Sequence, residues 1–126
     1  MKKMTKVRVT NDGVKGFFTR AREHARKLDR GEPIAPEFVV SFESADDMLR
    51  VLSAERVRLL AVARKRPLSV SELALGLKRD TRAVSRDIDL LESFGLLRTR
   101  YESNPGHGRR RIVEPRASSY KLVANI

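Results

Sequence analysis

The chain has 126 residues, 27 Lys+Arg against 16 Asp+Glu, two His and no Cys, so its formal net charge is +11 and its pI near 10.8. That length fits one domain, or one domain with an appended arm, and 40% apolar residues suffice for a small core. The absence of Cys excludes disulfide scaffolds and thiolate metal sites. The start lacks an apolar signal core and no apolar run is long enough to span a bilayer, so a cytoplasmic protein with a polyanionic partner is expected. Residues 1–30 hold ten bases and three acids, residues 31–66 balance at six and six, and residues 78–116 hold ten and six. Two basic regions therefore flank a neutral middle.

Residues 6–10 alternate as a short strand with Val7 and Val9 on one face. Asn11-Asp12-Gly13 is a turn and a helix start. Val14, Phe17, Phe18, Ala21, Ala25 and Leu28 then fall on one stripe of a helix, opposite Lys15, Arg20, Arg22, Arg26, Lys27 and Arg30. Gly31 and two following prolines end it, and Phe38, Val40 and Phe42 alternate as a second strand. Strand, helix and strand could form a parallel pair, but two strands alone are marginal in water. The arm is expected to borrow a partner from the next domain, a second copy or another protein. Its six stripe residues with Phe38, Val40 and Phe42 form the predicted dimer or partner surface, and deleting residues 1–42 is expected to abolish dimerisation. The arm's own positive charge suits flanking phosphates or an acidic protein partner.

Residues 44–66 read as a short helix and a second one begun by Ser53, lined by Val57, Leu60, Ala61 and the Arg64 stem; Pro67 stops the run. Ser69-Val-Ser-Glu72 is a capping-box pattern opening a short helix that buries Leu73, Ala74 and Leu77, with Gly76 permitting its exit. Asp80 can cap the next helix, Thr81 to Phe94, which buries Val84, Ile88, Leu91 and Phe94 before an αL stop at Gly95. Two short helices joined by a tight connection, the second amphipathic, describe a helix-turn-helix. Leu96–Tyr101 and Arg109–Val113 then pair around the turn cluster Asn104–Gly108 as a basic hairpin, and Ser119–Val123 is a last strand or a packed tail.

The run RPLSVSELALGLKRDTRAVSRDIDLLESFGLLRTRY resembles the winged helix-turn-helix transcriptional regulators of bacteria and archaea, of the MarR/ArsR-like group. The chain as a whole is similar to small predicted regulators that join a short arm to one such domain, some of them regarded as antitoxins. The resemblance implies an α+β fold: an arm over residues 1–43 and a winged helix-turn-helix domain over residues 44–126. It also implies double-stranded DNA as partner, a homodimer acting as a repressor, or an antitoxin that binds a toxin-like protein through the arm and autoregulates its operon. RNA binding through the same basic surface is the remaining alternative.

On the helix 81–94, Arg82 and Arg86 lie one turn apart and opposite the apolar stripe, placed to grip guanine O6 and N7 or a phosphate. Thr81 and Ser85 supply hydroxyls for phosphate near the helix start. Asp87 and Asp89 are inconvenient there; Asp89 could accept from cytosine N4, and the Arg79-Asp80 and Arg86-Asp87 pairs suggest buttressed arginines. In the hairpin, Arg109, Arg110 and Arg111 suit phosphates or a narrow minor groove, with His107 at the tip. Ser69 and Arg79 complete the predicted DNA contacts. No nucleotide-binding or nucleophile motif is present, and the two His lie far apart, so neither catalysis, a cofactor nor a metal is expected.

Overall fold

The computed structural model describes residues 4–126. The first three residues, read above as part of a start without a signal core, lie outside them. In chain order the elements are β1 (Met4–Thr10), α1 (Gly13–Asp29), β2 (Glu37–Ser41), α2 (Ala45–Val51), α3 (Ala54–Ala63) and β3 (Leu68–Ser69). They continue with α4 (Val70–Leu77), α5 (Thr81–Ser93), β4 (Leu97–Ser103), β5 (Arg109–Pro115) and β6 (Ala117–Val123).

Two three-stranded sheets organise these elements. In the first, ordered β2-β1-β6, every pair is parallel. Val7 stands between Phe38 and Tyr120, and Val9 between Val40 and Leu122. The strand that the arm was expected to borrow is thus β6, from the far end of the same chain. Residues 44–116 are inserted between the second and third strands of this sheet, so a boundary at 43/44 separates strands that share one sheet. The second sheet, β3-β5-β4, is antiparallel and carries the hairpin 97–115.

The inner face of the parallel sheet and the helical unit share one core. Val7, Val9, Val40 and Phe42 join Met48, Leu59, Leu73, Val84, Ile88, Leu91 and Leu96 in a single buried cluster. Phe42 stacks on Phe94 with ring centroids 5.1 Å apart. The Tyr120 hydroxyl donates to the Leu96 carbonyl at 2.6 Å and accepts from the Arg116 N–H at 3.1 Å. Burial pushes the Tyr120 hydroxyl pKa up, against the opposing pull of the Arg116 backbone N–H. Phe38 and Gly95 meet so closely that a Cβ on Gly95 would lie 3.1 Å from the ring, and Gly95 also needs its φ of +76°. These contacts correct one expectation: Val40 and Phe42 are core of their own chain and Phe38 is packed against that core, because their side of β2 faces the helical unit.

Helices α3, α4 and α5 with the β3-β5-β4 sheet form a winged helix-turn-helix. Ser44 and Ser53 cap α2 and α3 by accepting from Asp47 N and Arg56 N. The buried side of α3 is Leu59, Leu60 and Ala63, whereas the expected face Val57, Leu60, Ala61 and Arg64 looks onto a notch against β6. The α4 box forms as expected, with Ser69 Oγ accepting from Glu72 N at 3.1 Å and Ser69 N donating to Glu72 Oε1 at 3.0 Å. Gly76 stays inside α4, and the left-handed exit falls to Lys78 at φ +55°. Asp80 occupies the cap position of α5 without a side-chain cap bond.

Helix α1 is the exception to this packing. It buries no side chain, and Val14, Phe17 and Leu28 are 72%, 61% and 66% exposed. The apolar stripe forms as the spacing predicts and nothing in the described chain covers it.

Candidate nucleic-acid interface

Helix α5 presents Val84, Ile88 and Leu91 to the core, which turns Arg82 and Arg86 outward. Both are exposed, and neither makes an ion pair or hydrogen bond within the described residues. Thr81 is exposed and Ser85 half-buried near the same end of the helix. Lys78, immediately before α5, is exposed as well. It was not among the predicted contacts; its place in the connection between the two helices was the available signal.

Part of the neighbouring charge is spoken for. Of the ten bases between residues 78 and 116, four are held by carboxylates: Arg79, Arg100, Arg110 and Arg111. The Asp87 carboxylate is buried, with its side chain only 10% exposed, and takes Arg56 Nε at 2.9 Å and Arg79 Nη1 at 2.8 Å. Arg79 also reaches Glu55 at 3.2 Å. Asp87 therefore turns away from the exposed face of α5; it ties α3 and the α4–α5 connection to α5. The buttressing read from the sequence exists in a different pairing, Asp87 with Arg79, and it leaves Arg86 free. Sequence reasoning missed Arg56 entirely, because nothing local links positions 31 residues apart.

Two further predicted contacts have structural work instead. Ser69 is buried with its hydroxyl committed to the α4 cap. Arg111 points from β5 toward α5, 2.8 Å from Asp89 and 3.0 Å from Glu92, with a side chain 16% exposed. Burial works against its charge and Asp89, then Glu92, outweigh that, so the Arg111 pKa is raised. Glu92 also accepts from Thr99 N at 2.9 Å and Thr99 Oγ1 at 2.8 Å. Asp89 is thus engaged with Arg111 in the free chain, and this pair holds the middle of the hairpin beside α5, one turn from Arg86.

At the hairpin tip, Gly106 and Gly108 adopt φ of +83° and +78°, and Asn104 N bonds Gly108 O at 2.8 Å. His107 and Arg109 are exposed there, Arg109 lying 5.1 Å from the Tyr101 ring centroid. Arg110 is held by Glu102, which Arg100 also contacts. Hydrogen bonds from Arg100, then Arg110, keep the Glu102 carboxyl below its usual range. Among the described residues, the exposed bases of the region without a carboxylate partner are therefore Lys78 just before α5, Arg82 and Arg86 on α5, and Arg109 on the hairpin, with His107 beside it. Among the described residues no group of three or more His, Asp or Glu is placed to hold a metal ion, and no helix is long and apolar enough to cross a membrane.

A family model described as HVO_A0114 matches residues 51–114, from the end of α2 through β5. Among solved structures, a possible transcriptional regulator from Methanosarcina mazei Go1 is 19% identical, with a TM-score of 0.49 over 59% of this chain and 66% of its own. The homodimeric winged helix-turn-helix DNA-binding domain of a possible ArsR-family transcriptional regulator from Mycobacterium bovis is 20% identical. Its TM-score is 0.47 over 57% of this chain and 66% of its own. The chain thus spans just under two thirds of either structure. No curated protein sequence matches it.

Proposed function

The chain belongs to the HVO_A0114 family, and from its winged-helix geometry we propose that it is a sequence-specific DNA-binding transcriptional regulator acting as a dimeric repressor. The observation that carries this reading is the isolation of Arg82 and Arg86. Around them, Asp87 turns inward and Asp89 is engaged by Arg111, so two of the helix's carboxylates are occupied and both guanidinium groups stay unpaired. Paired donors of this kind suit guanine O6 and N7 in a major groove wide enough for one helix. In this reading Lys78 and the hairpin tip, with Arg109 and His107, meet the adjoining backbone. One winged helix reads few base pairs, so two copies on an inverted repeat supply the rest of the specificity.

Selection of a preferred duplex from random DNA, followed by binding titrations, tests the reading. Arg82→Ala or Arg86→Ala is expected to cost about 1–3 kcal/mol on the selected site and much less on random DNA. Equal losses on both would reduce these residues to phosphate contacts. The logarithm of affinity should fall with that of salt by about 0.9 per phosphate neutralised. Tighter binding to structured RNA than to any duplex would replace DNA by RNA as the ligand.

A further inference from the structure

We propose that the groove between α1 and β2 is a docking site for an acidic amphipathic helix presented by another protein. The groove has a volume of about 820 Å³, and Val14, Phe17, Ala21, Ile34, Val39 and Phe42 line it. Parallel sheets are normally covered on both faces. Here the winged unit covers one face, whereas α1 stands across the other without burying a side chain.

The size and sign of the missing partner follow from α1 itself. The apolar stripe runs on past the groove through Ala25 to Leu28, along a helix of 17 residues, about 25 Å. A small ligand would fill the groove and leave Leu28 bare, whereas a helix of similar length covers the whole stripe as a helix-in-groove complex does. Charge then selects among helices. Residues 13–30 hold six bases against two acids. Lys15, Arg22 and Arg26 flank one side of the stripe; His24 lies on the other, where Arg20 is already paired with Asp12. Asp29 joins the first flank only in the last turn, and Glu23 lies on the face opposite the stripe. A second copy of α1 would bring the same basic flanks and set arginine against arginine in either direction. DNA would satisfy the arginines and leave Phe17, Phe18 and Leu28 in water. An acidic partner helix answers both the apolar stripe and its flanks. The inference does not depend on what α5 binds.

The test uses the full chain and two synthetic helical peptides of about 16 residues, roughly 24 Å long. Both carry the same leucine stripe; one is flanked by glutamates, the other by lysines. Fluorescence anisotropy is expected to show the acidic peptide binding at least about tenfold more tightly than the basic one. Phe17→Glu should remove that binding while melting with the parent, and the pair Arg22→Glu and Arg26→Glu should reverse the preference between peptides. Equal binding of the two peptides, or none by either, overturns the proposal. So does a peptide-free chain that sediments as a dimer and is dissociated by Phe17→Glu, since a second copy then fills the groove. A Phe17→Glu chain that melts far below the parent also overturns it, by making α1 part of the folded core.

Discussion

Replacing Asp87 by alanine removes the acceptor that Arg56 and Arg79 share at 2.9 and 2.8 Å. Breaking a fully buried pair costs about 3–5 kcal/mol, because the surviving charge stays desolvated. Two features lower that figure here. The Arg56 and Arg79 side chains are 24% and 18% exposed, so water reaches them in part. Each also keeps another acceptor: Arg56 Nη1 bonds the Arg50 and Val51 carbonyls, and Arg79 bonds Glu55. The expected loss is therefore about 2–3 kcal/mol, or roughly 6–12 °C in melting temperature for a domain of this size. Thermal and urea unfolding measure it directly. A double-mutant cycle with Arg79→Ala should return a coupling of about 1–2 kcal/mol, since the two side chains touch. A carboxylate that merely faced solvent or phosphate would change stability by less than about 0.5 kcal/mol. An Asp87→Ala variant that melts with the parent would therefore refute the clamp.

Three other substitutions probe separate joints. Lys78→Gly relieves a left-handed residue and should raise stability by about 1 kcal/mol; if Lys78 meets phosphate, the same change lowers the salt slope by about one. Hydrogen bonds from the Ser69 backbone, then its hydroxyl, hold the Glu72 carboxyl below its ordinary range. The box therefore contributes fully above the unfolded pKa, about 4.3, and fades as pH falls through the lower folded value. Glu72→Ala should accordingly melt below the parent at pH 7, with the difference closing in acid; a constant difference would assign the effect to something other than charge. Tyr120→Phe leaves the Leu96 carbonyl and Arg116 N–H unpartnered and should cost about 1–3 kcal/mol, read by urea unfolding.

What was legible in the sequence is what neighbours along the chain decide. The α4 box lies within four residues, and the Gly95 stop follows directly on the α5 stripe, so both could be read as patterns. The same holds for the outward placement of Arg82 and Arg86, which only requires that Val84, Ile88 and Leu91 face inward. Side-chain partners across elements carry no such signature. Arg109, Arg110 and Arg111 look alike in sequence; the tip leaves Arg109 exposed over Tyr101, Glu102 holds Arg110, and the pleat turns Arg111 onto Asp89. Asp87 looked like a liability on a DNA-facing helix because Arg56, which explains it, lies on another helix.

The pairing of β1 with β6 is the most distant of these partnerships, and it changes how the arm can be tested. Lys6 of β1 sits opposite Ser119 of β6, and Asn11 and Asn125 clasp the two chain ends at 2.6–3.1 Å. Removing residues 1–42 would take away the central strand, strip the Phe42 ring from Phe94 and leave β6 without a neighbour. Such a truncation exposes Leu96 and Tyr120 surroundings that are apolar in the intact chain, so a change in its oligomeric state reports lost core rather than lost interface. The arm's role in assembly is instead read from α1, whose stripe can be changed residue by residue because no side chain of that helix is buried. Substitutions at Val14, Phe17 or Leu28 that alter assembly or partner binding without lowering the melting temperature locate an interface there. Substitutions at Val7, Val9 or Val40 can only report on the fold, since those side chains lie in the core shared with α5.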